Sequence, residues 1–188
     1  FGVGAHYRLI PFKGIYRKLR AGASFPVNGN IYPVPDVRNP FLGVHFTRSV
    51  HGDVYLGPTA IPALGRENYR LLRGAGGEAF AILASDATLF FTNPKFRNVA
   101  LVEPRKYLPF FFDRDAARLV RGYEPGLFEA ADKVGIRPQL VDWTTKELVM
   151  DFLVEARETS VHVLNPVSPA FTASMELARL VVSQHFGR

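Results

Sequence analysis

Leu42-Gly43-Val44-His45-Phe46-Thr47, then Ser49-Val50-His51-Gly52-Asp53, then Val54-Tyr55-Leu56 is the stretch on which the fold turns. Two β-branched and aromatic runs flank a polar, glycine-containing turn, and that pattern predicts a β-hairpin. His45 and His51 could meet across it. Upstream, Ile10–Leu19 reads as a strand interrupted by Pro11 and Gly14, and Ile31–Pro35 as a short edge or bulged strand with two prolines. Residues 6–60 are therefore expected to be β-structure.

Downstream the period changes. Apolar residues at positions 80, 82, 83, 87 and 90 approach helical spacing, which predicts a helix over Glu78–Leu89. Phe96–Val102 and Asp113–Val120 read the same way, with Pro94, Pro104, Pro109 and Pro125 marking helix starts or breaks. Beyond residue 134 strands return. Gln139–Val141 and Leu148–Val154 are expected to pair around Trp143-Thr144-Thr145-Lys146, and Val161–Leu164 to form a short buried strand. Ser168-Pro169 should then open a helix to about His185, with serine as N-cap and proline at the first helical position.

Composition narrows the classes. With 47% hydrophobic and 21% charged residues over 188 positions, the chain can bury a substantial core. No apolar run approaches the roughly 20 residues of a membrane helix, and no signal-peptide pattern opens the sequence. Cysteine is absent, which removes disulfides, thiolate nucleophiles and thiolate metal sites. The net charge of +6 is scattered, with short clusters at Arg17–Arg20 and Arg66–Arg73 and no nucleic-acid-binding motif, so a basic surface serving an anionic substrate is favoured over nucleic acid. Phe1 rather than Met begins the sequence, and a longer protein is expected to contain it.

Most catalytic signatures are missing. Gly74-Ala75-Gly76-Gly77-Glu78-Ala79 fits a loose dinucleotide-binding pattern, yet the charged Tyr69–Arg73 before it is a poor central strand. His6, His45, His51, His162 and His185 make no metal-ligand spacing, and there is no G-x-S-x-G elbow. Asp113 and Asp115 are expected at a helix start, as capping and dipole partners. The most suggestive unit is the last: an apolar strand, the loop Asn165-Pro166-Val167-Ser168-Pro169, and a helix whose first turn is Ala170-Phe171-Thr172. Such a helix start favours negative charge by roughly 0.3–2 kcal/mol.

Four segments carry a resemblance. Pro11-Phe12-Lys13-Gly14-Ile15-Tyr16 is similar to a P-F-R-G-x-Y segment, and the run from Asn30 to Pro58, with Tyr32 and His45 inside it, to a family signature. Gly135-Ile136-Arg137-Pro138-Gln139 is similar to G-I/V-R-A-Q, and His162–Ala170 to H-V-x-N-A-P-S-P-A. Together, and in this order, they resemble the carboxy-terminal half of the L-2-hydroxyglutarate oxidases and dehydrogenases, within the D-amino-acid-oxidase-like superfamily. Residues 66–130 match only in texture.

The resemblance implies an α+β chain: an antiparallel-sheet substrate domain with a helical insert over 6–130, and over 134–188 the closing strands and helix of an FAD-binding Rossmann-like domain. Its amino-terminal half, with a histidine base, would lie outside this chain, so no catalytic residue is assigned and the piece alone should be inactive. The implied reaction oxidises a 2-hydroxyacid, L-2-hydroxyglutarate, by hydride transfer to FAD. Arg137 is implied as the carboxylate clamp, with Arg48 and Arg38 as candidate second cations, and Tyr32 and His45 as further substrate-binding residues. Asn165, Ser168, Pro169 and Ala170 are implied as the flavin-facing loop. A cytoplasmic protein with peripheral inner-membrane contact for electron transfer is the corresponding expectation. Pro138 and Val167 depart from the family's usual alanine and proline, which leaves the substrate open. An amino-acid or amine oxidase of the same superfamily, and a non-catalytic chain that binds a partner, are the alternatives.

Overall fold

The computed structural model describes residues 1–35, 41–71, 73 and 76–187. Two compact units divide the chain: Ile10–Pro138, and Phe1–Leu9 together with Gln139–Arg188. Strands β1 (Tyr7–Leu19), β2 (His45–Arg48), β3 (Val54–Gly57), β4 (Ile61–Pro62), β5 (Phe128–Asp142) and β6 (Glu147–Leu148) form one sheet in the order β2-β3-β1-β5-β6, with β4 also on β1. Strands β7 (Leu153–Ala156) and β8 (Val161–Asn165) form a second, antiparallel pair. The helices are α1 (Ala79–Thr92), α2 (Pro94–Val102), α3 (Pro109–Ala117) and α4 (Ser174–His185), with a short 3-10 turn at Glu103–Tyr107. The antiparallel α+β expectation with a helical insert holds.

In the larger unit the expected hairpin is present, with Phe46 opposite Leu56 and Arg48 opposite Val54. Alternation sends Phe46, Val54 and Leu56 to one face, where they pack with Phe128, Phe112 and Ala116 of α3, Val27 and Val44. Phe46 and Phe128 have ring centroids 5.8 Å apart, and the core there is largely aromatic. β1 is unbroken despite Pro11 and Gly14. Pro11 keeps its acceptor, which takes the Ala63 N–H at 3.0 Å. Glycine is needed at 14 because a Cβ there would stand 2.7 Å from Cβ of Pro58. Where β3 gives way to β4, the Thr59 hydroxyl accepts from Ile15 N–H and donates to the Lys13 carbonyl, substituting for a ladder rung.

Several expectations are corrected. Ile31–Pro35 is not a strand but a single bridge from Ile31 to Phe46, because Pro33 and Pro35 have no N–H to extend it. The third helix starts at Pro109 and ends at Ala117, not at Asp113 and Val120. Asp113 and Asp115 therefore sit inside it rather than capping it. Buried Asp113 accepts the Tyr123 hydroxyl at 2.5 Å and the Gly126 N–H at 3.3 Å, while Asp115 pairs with Lys106 at 3.2 Å. His45 and His51 do not meet, since His45 lies opposite Gly57 at the open end of the hairpin and His51 in the turn.

In the smaller unit β5 and β6 pair around residues 143–146, with Val141 opposite Leu148. The Asp142 carboxylate accepts from the N–H groups of Thr144 and Thr145, closing the turn. Leu148–Val154 is not one strand: pairing stops at Leu148, and Leu153 begins β7 against β8. β8 is half-exposed rather than buried, as one of only two strands in its sheet. The last helix begins at Ser174, not at Ser168-Pro169. Residues 168–173 form turns in which Pro169 C=O takes both the Ala173 N–H and the Thr172 hydroxyl, a local competition with regular helix. Ser168 is thus no N-cap.

Candidate functional site

The face of the main sheet opposite the aromatic core carries Tyr32, His45 and Arg137, the three residues implied for substrate binding. His45 alternates away from Phe46, and Gly57 and Tyr55 stand opposite His45 and Thr47. Lys18 of β1 lies opposite Tyr55, and Tyr16, two residues before it, shares that face. On β5, Phe128 points into the core, so Lys133 takes the other side and Arg137, four residues on, takes it too. Contacts agree with this reading. The Lys133 ammonium lies 4.7 Å from the Tyr16 ring and 5.0 Å from the Tyr55 ring. The Arg137 guanidinium lies 5.1 Å from the Phe41 ring, which packs 4.6 Å from Phe12 of β1.

Tyr32 reaches this face through the Ile31–Phe46 bridge, whose two hydrogen bonds are each 3.0 Å. Its ring lies 4.6 Å from that of His45 and is half exposed. Sequence reading thus joined two residues that the fold places together. His45 Nδ1 lies 3.0 Å from the Gly43 carbonyl, so Nδ1 carries the hydrogen and Nε2 keeps its lone pair. Burial lowers the His45 pKa, with the Gly43 contact opposing it, so the ring is neutral at pH 7. Desolvation also lowers the Arg137 pKa from its ordinary value, although part of the side chain stays exposed. An arginine remains charged regardless.

Gly57 shapes this face. Its φ is +136°, and a Cβ there would stand 2.8 Å from the Ile15 carbonyl oxygen and 3.2 Å from Cα of Tyr16. No side chain fits against that backbone.

Of the two candidate second cations, Arg48 stands off this face. Arg48 lies opposite Val54, on the core side of β2, and its Nη1 donates to the Val27 carbonyl at 3.5 Å. Arg38 lies outside the described residues. Sequence reasoning missed Lys133, Tyr16 and Tyr55. The signal available was the two-residue alternation along β5 from Arg137, which a continuous strand would have exposed.

Asn165, Ser168, Pro169 and Ala170 belong to the smaller unit. Asn165 is buried at the end of β8, and its amide donates to the carbonyls of Asp151 at 2.7 Å and Val149 at 3.4 Å. Ala170 is buried and donates to Val167 C=O, whereas Ser168 and Pro169 are exposed. The result is a braced loop with an open, small-sided surface. Among the described residues no group of three or more His, Cys, Asp or Glu could hold a metal, and no helix is long and apolar enough to cross a membrane.

Fold and face together define an antiparallel-sheet domain with cations and aromatic rings on one face. The comparisons make this specific. The chain is 31% identical over 191 residues to the mitochondrial L-2-hydroxyglutarate dehydrogenase of Mus musculus, covering 94% of this chain and 39% of that protein. It is 31% identical over 201 residues to the Caenorhabditis elegans mitochondrial enzyme of that name, covering 100% and 44%. The L-2-hydroxyglutarate dehydrogenase of Escherichia coli is 33% identical over 187 residues, covering 97% and 43%. No protein-family model matches. The chain is homologous to part of the L-2-hydroxyglutarate dehydrogenases, and the resemblance carried by its motifs holds; it spans 39–44% of the length of these relatives.

Proposed function

We propose that this chain supplies the substrate-binding face, over 6–130 with the adjoining Arg137, of an FAD-dependent oxidoreductase. Its substrate is a 2-hydroxyacid, L-2-hydroxyglutarate, which it converts to the 2-oxoacid. The observation that carries the reading is that Arg137 lies on the same sheet face as His45 and the Tyr32 packed on it, in a chain homologous to dehydrogenases of that name. Arg137 pairs with a substrate carboxylate through its planar fork. Neutral His45 offers Nε2 to a ligand hydroxyl, and Tyr32 walls the face beside it.

The residues over 134–188 close the cofactor-binding domain in this reading. Exposed Ser168 and Pro169 would line the edge of a flat ring there, on a loop that buried Asn165 and Ala170 brace from behind. Hydride acceptance is the chemistry that a bound flavin supplies. The remainder of the cofactor site, and the base, belong to an amino-terminal half in the same or a separate chain. In support, α4 has no buried residue and exposes Met175 and Val182, seven positions apart on one side and suited to burial against that half. Peripheral membrane contact for a cytoplasmic enzyme is supported by the helical insert. There Phe80, Phe91 and Phe110 are exposed, as are Arg97, Arg114 and Arg118.

The test is anaerobic addition of L-2-hydroxyglutarate to the purified flavin-loaded protein that carries this chain, followed by visible absorption. Bleaching of the flavin band is the expected result. Bleaching by an amino acid instead would reassign the protein to the amino-acid oxidases, and a protein that takes up no flavin would be the non-catalytic partner-binding chain.

A further inference from the structure

We propose that Lys133 is the second cation of the site and selects a dicarboxylate by pairing with the carboxylate remote from the reacting carbon. This rests on the reading above and deepens it. The other cations of the larger unit near this face are committed elsewhere. Lys13 is buried, and its ammonium donates to Asn68 Oδ1 at 3.1 Å and the Arg70 carbonyl at 3.3 Å. Lys18 is paired with Asp53 at 2.8 Å. Arg48 lies on the core side of β2.

Lys133 differs from all three. It is exposed, and among the described residues no carboxylate lies within ion-pairing distance of its ammonium. Two tyrosine rings, Tyr16 and Tyr55, hold that ammonium from below at 4.7 and 5.0 Å. Ring faces attract a cation without neutralising it, so the charge is positioned yet still available to an anion. Lys133 and Arg137 stand on one face of one strand, about 13 Å apart along the backbone at ~3.3 Å per residue. Both side chains are long enough to converge on the two ends of a five-carbon dicarboxylate. A monocarboxylate of the same length engages Arg137 and leaves Lys133 unused.

The experiment compares L-2-hydroxyglutarate with L-2-hydroxyvalerate, its five-carbon analogue without the distal carboxylate, on the flavin-loaded protein and its Lys133→Met and Lys133→Arg variants. Circular dichroism and thermal melting confirm that each variant is folded. Lys133→Met is expected to reduce the preference in kcat/KM for the dicarboxylate by about 10- to 100-fold, chiefly through KM, the size of a lost charge-assisted contact. Lys133→Arg should restore most of it. Equal loss on both substrates, or a preference within threefold of wild type, overturns the assignment of Lys133. A wild-type protein that oxidises neither compound overturns the functional reading itself, and the proposal with it.

Discussion

Asp86 is the side chain whose chemistry fits its surroundings least. It lies on α1 among Leu83, Phe90, Phe96 and Pro62, and its Oδ1 is buried without a hydrogen-bond partner. Burial raises its pKa to about 7 from 3.8. The folded state therefore holds the proton more tightly than the unfolded chain does. The resulting stability is fully present below pH 4 and is lost as pH rises through about 7, by on the order of 2–4 kcal/mol. Asp86→Asn should flatten this slope, so that the variant melts higher than the wild type at pH 8 and the gap closes towards pH 4. Parallel melting curves across that range would show that Asp86 is solvated. No such environment can be read from the sequence, where Asp86 is one polar position on an apolar helix. His45 is different: its place in a strand was readable, whereas its fixed tautomer comes from the Gly43 carbonyl two residues away.

Among the elements, the junction of α1 and α2 shows why prolines located the helical insert well. Asn93 ends α1 by donating its N–H to Leu89 C=O, and its side chain accepts from Phe96 N–H at 2.9 Å to start α2, with Pro94 at the first position. Proline tolerates that position because its absent N–H would go unpaired anyway. Asn93→Ala should cost about 1–2 kcal/mol in urea denaturation, and Asn93→Asp much less. Equal losses would mean that packing of the buried side chain, rather than the cap, holds the junction. At Ser168-Pro169 the same kind of signal misled, because turns that use the Pro169 carbonyl displaced the helix start to Ser174. A capping pattern states what a helix start requires, and it does not exclude a competing turn.

At the scale of the molecule, each unit is closed by contacts between distant parts of the chain. In the smaller one the first residues join the last third: Gly4 N–H donates to Glu155 at 3.2 Å, Arg157 to the Gly2 carbonyl at 2.6 Å, and Trp143 N–H to the His6 carbonyl at 2.7 Å. Phe1 also packs on His162 with ring centroids 4.8 Å apart. Deleting residues 1–6 should therefore raise amide exchange in β7, β8 and the 143–147 turn while leaving the β2–β3 hairpin protected. Loss of protection in both places would mean that the two units unfold together.

The sequence by itself determined the antiparallel hairpin, the helical insert and the kinship, because alternation, proline placement and motif order are local properties. It also placed Tyr32 and His45 in one signature and singled out Arg137 by resemblance. Only the tertiary structure decided that Lys133 shares the face of Arg137 while Arg48, although exposed, stands on the opposite face. The side on which a strand residue points depends on register against β3 and on which face α3 covers, and both are set by packing between segments far apart in the chain.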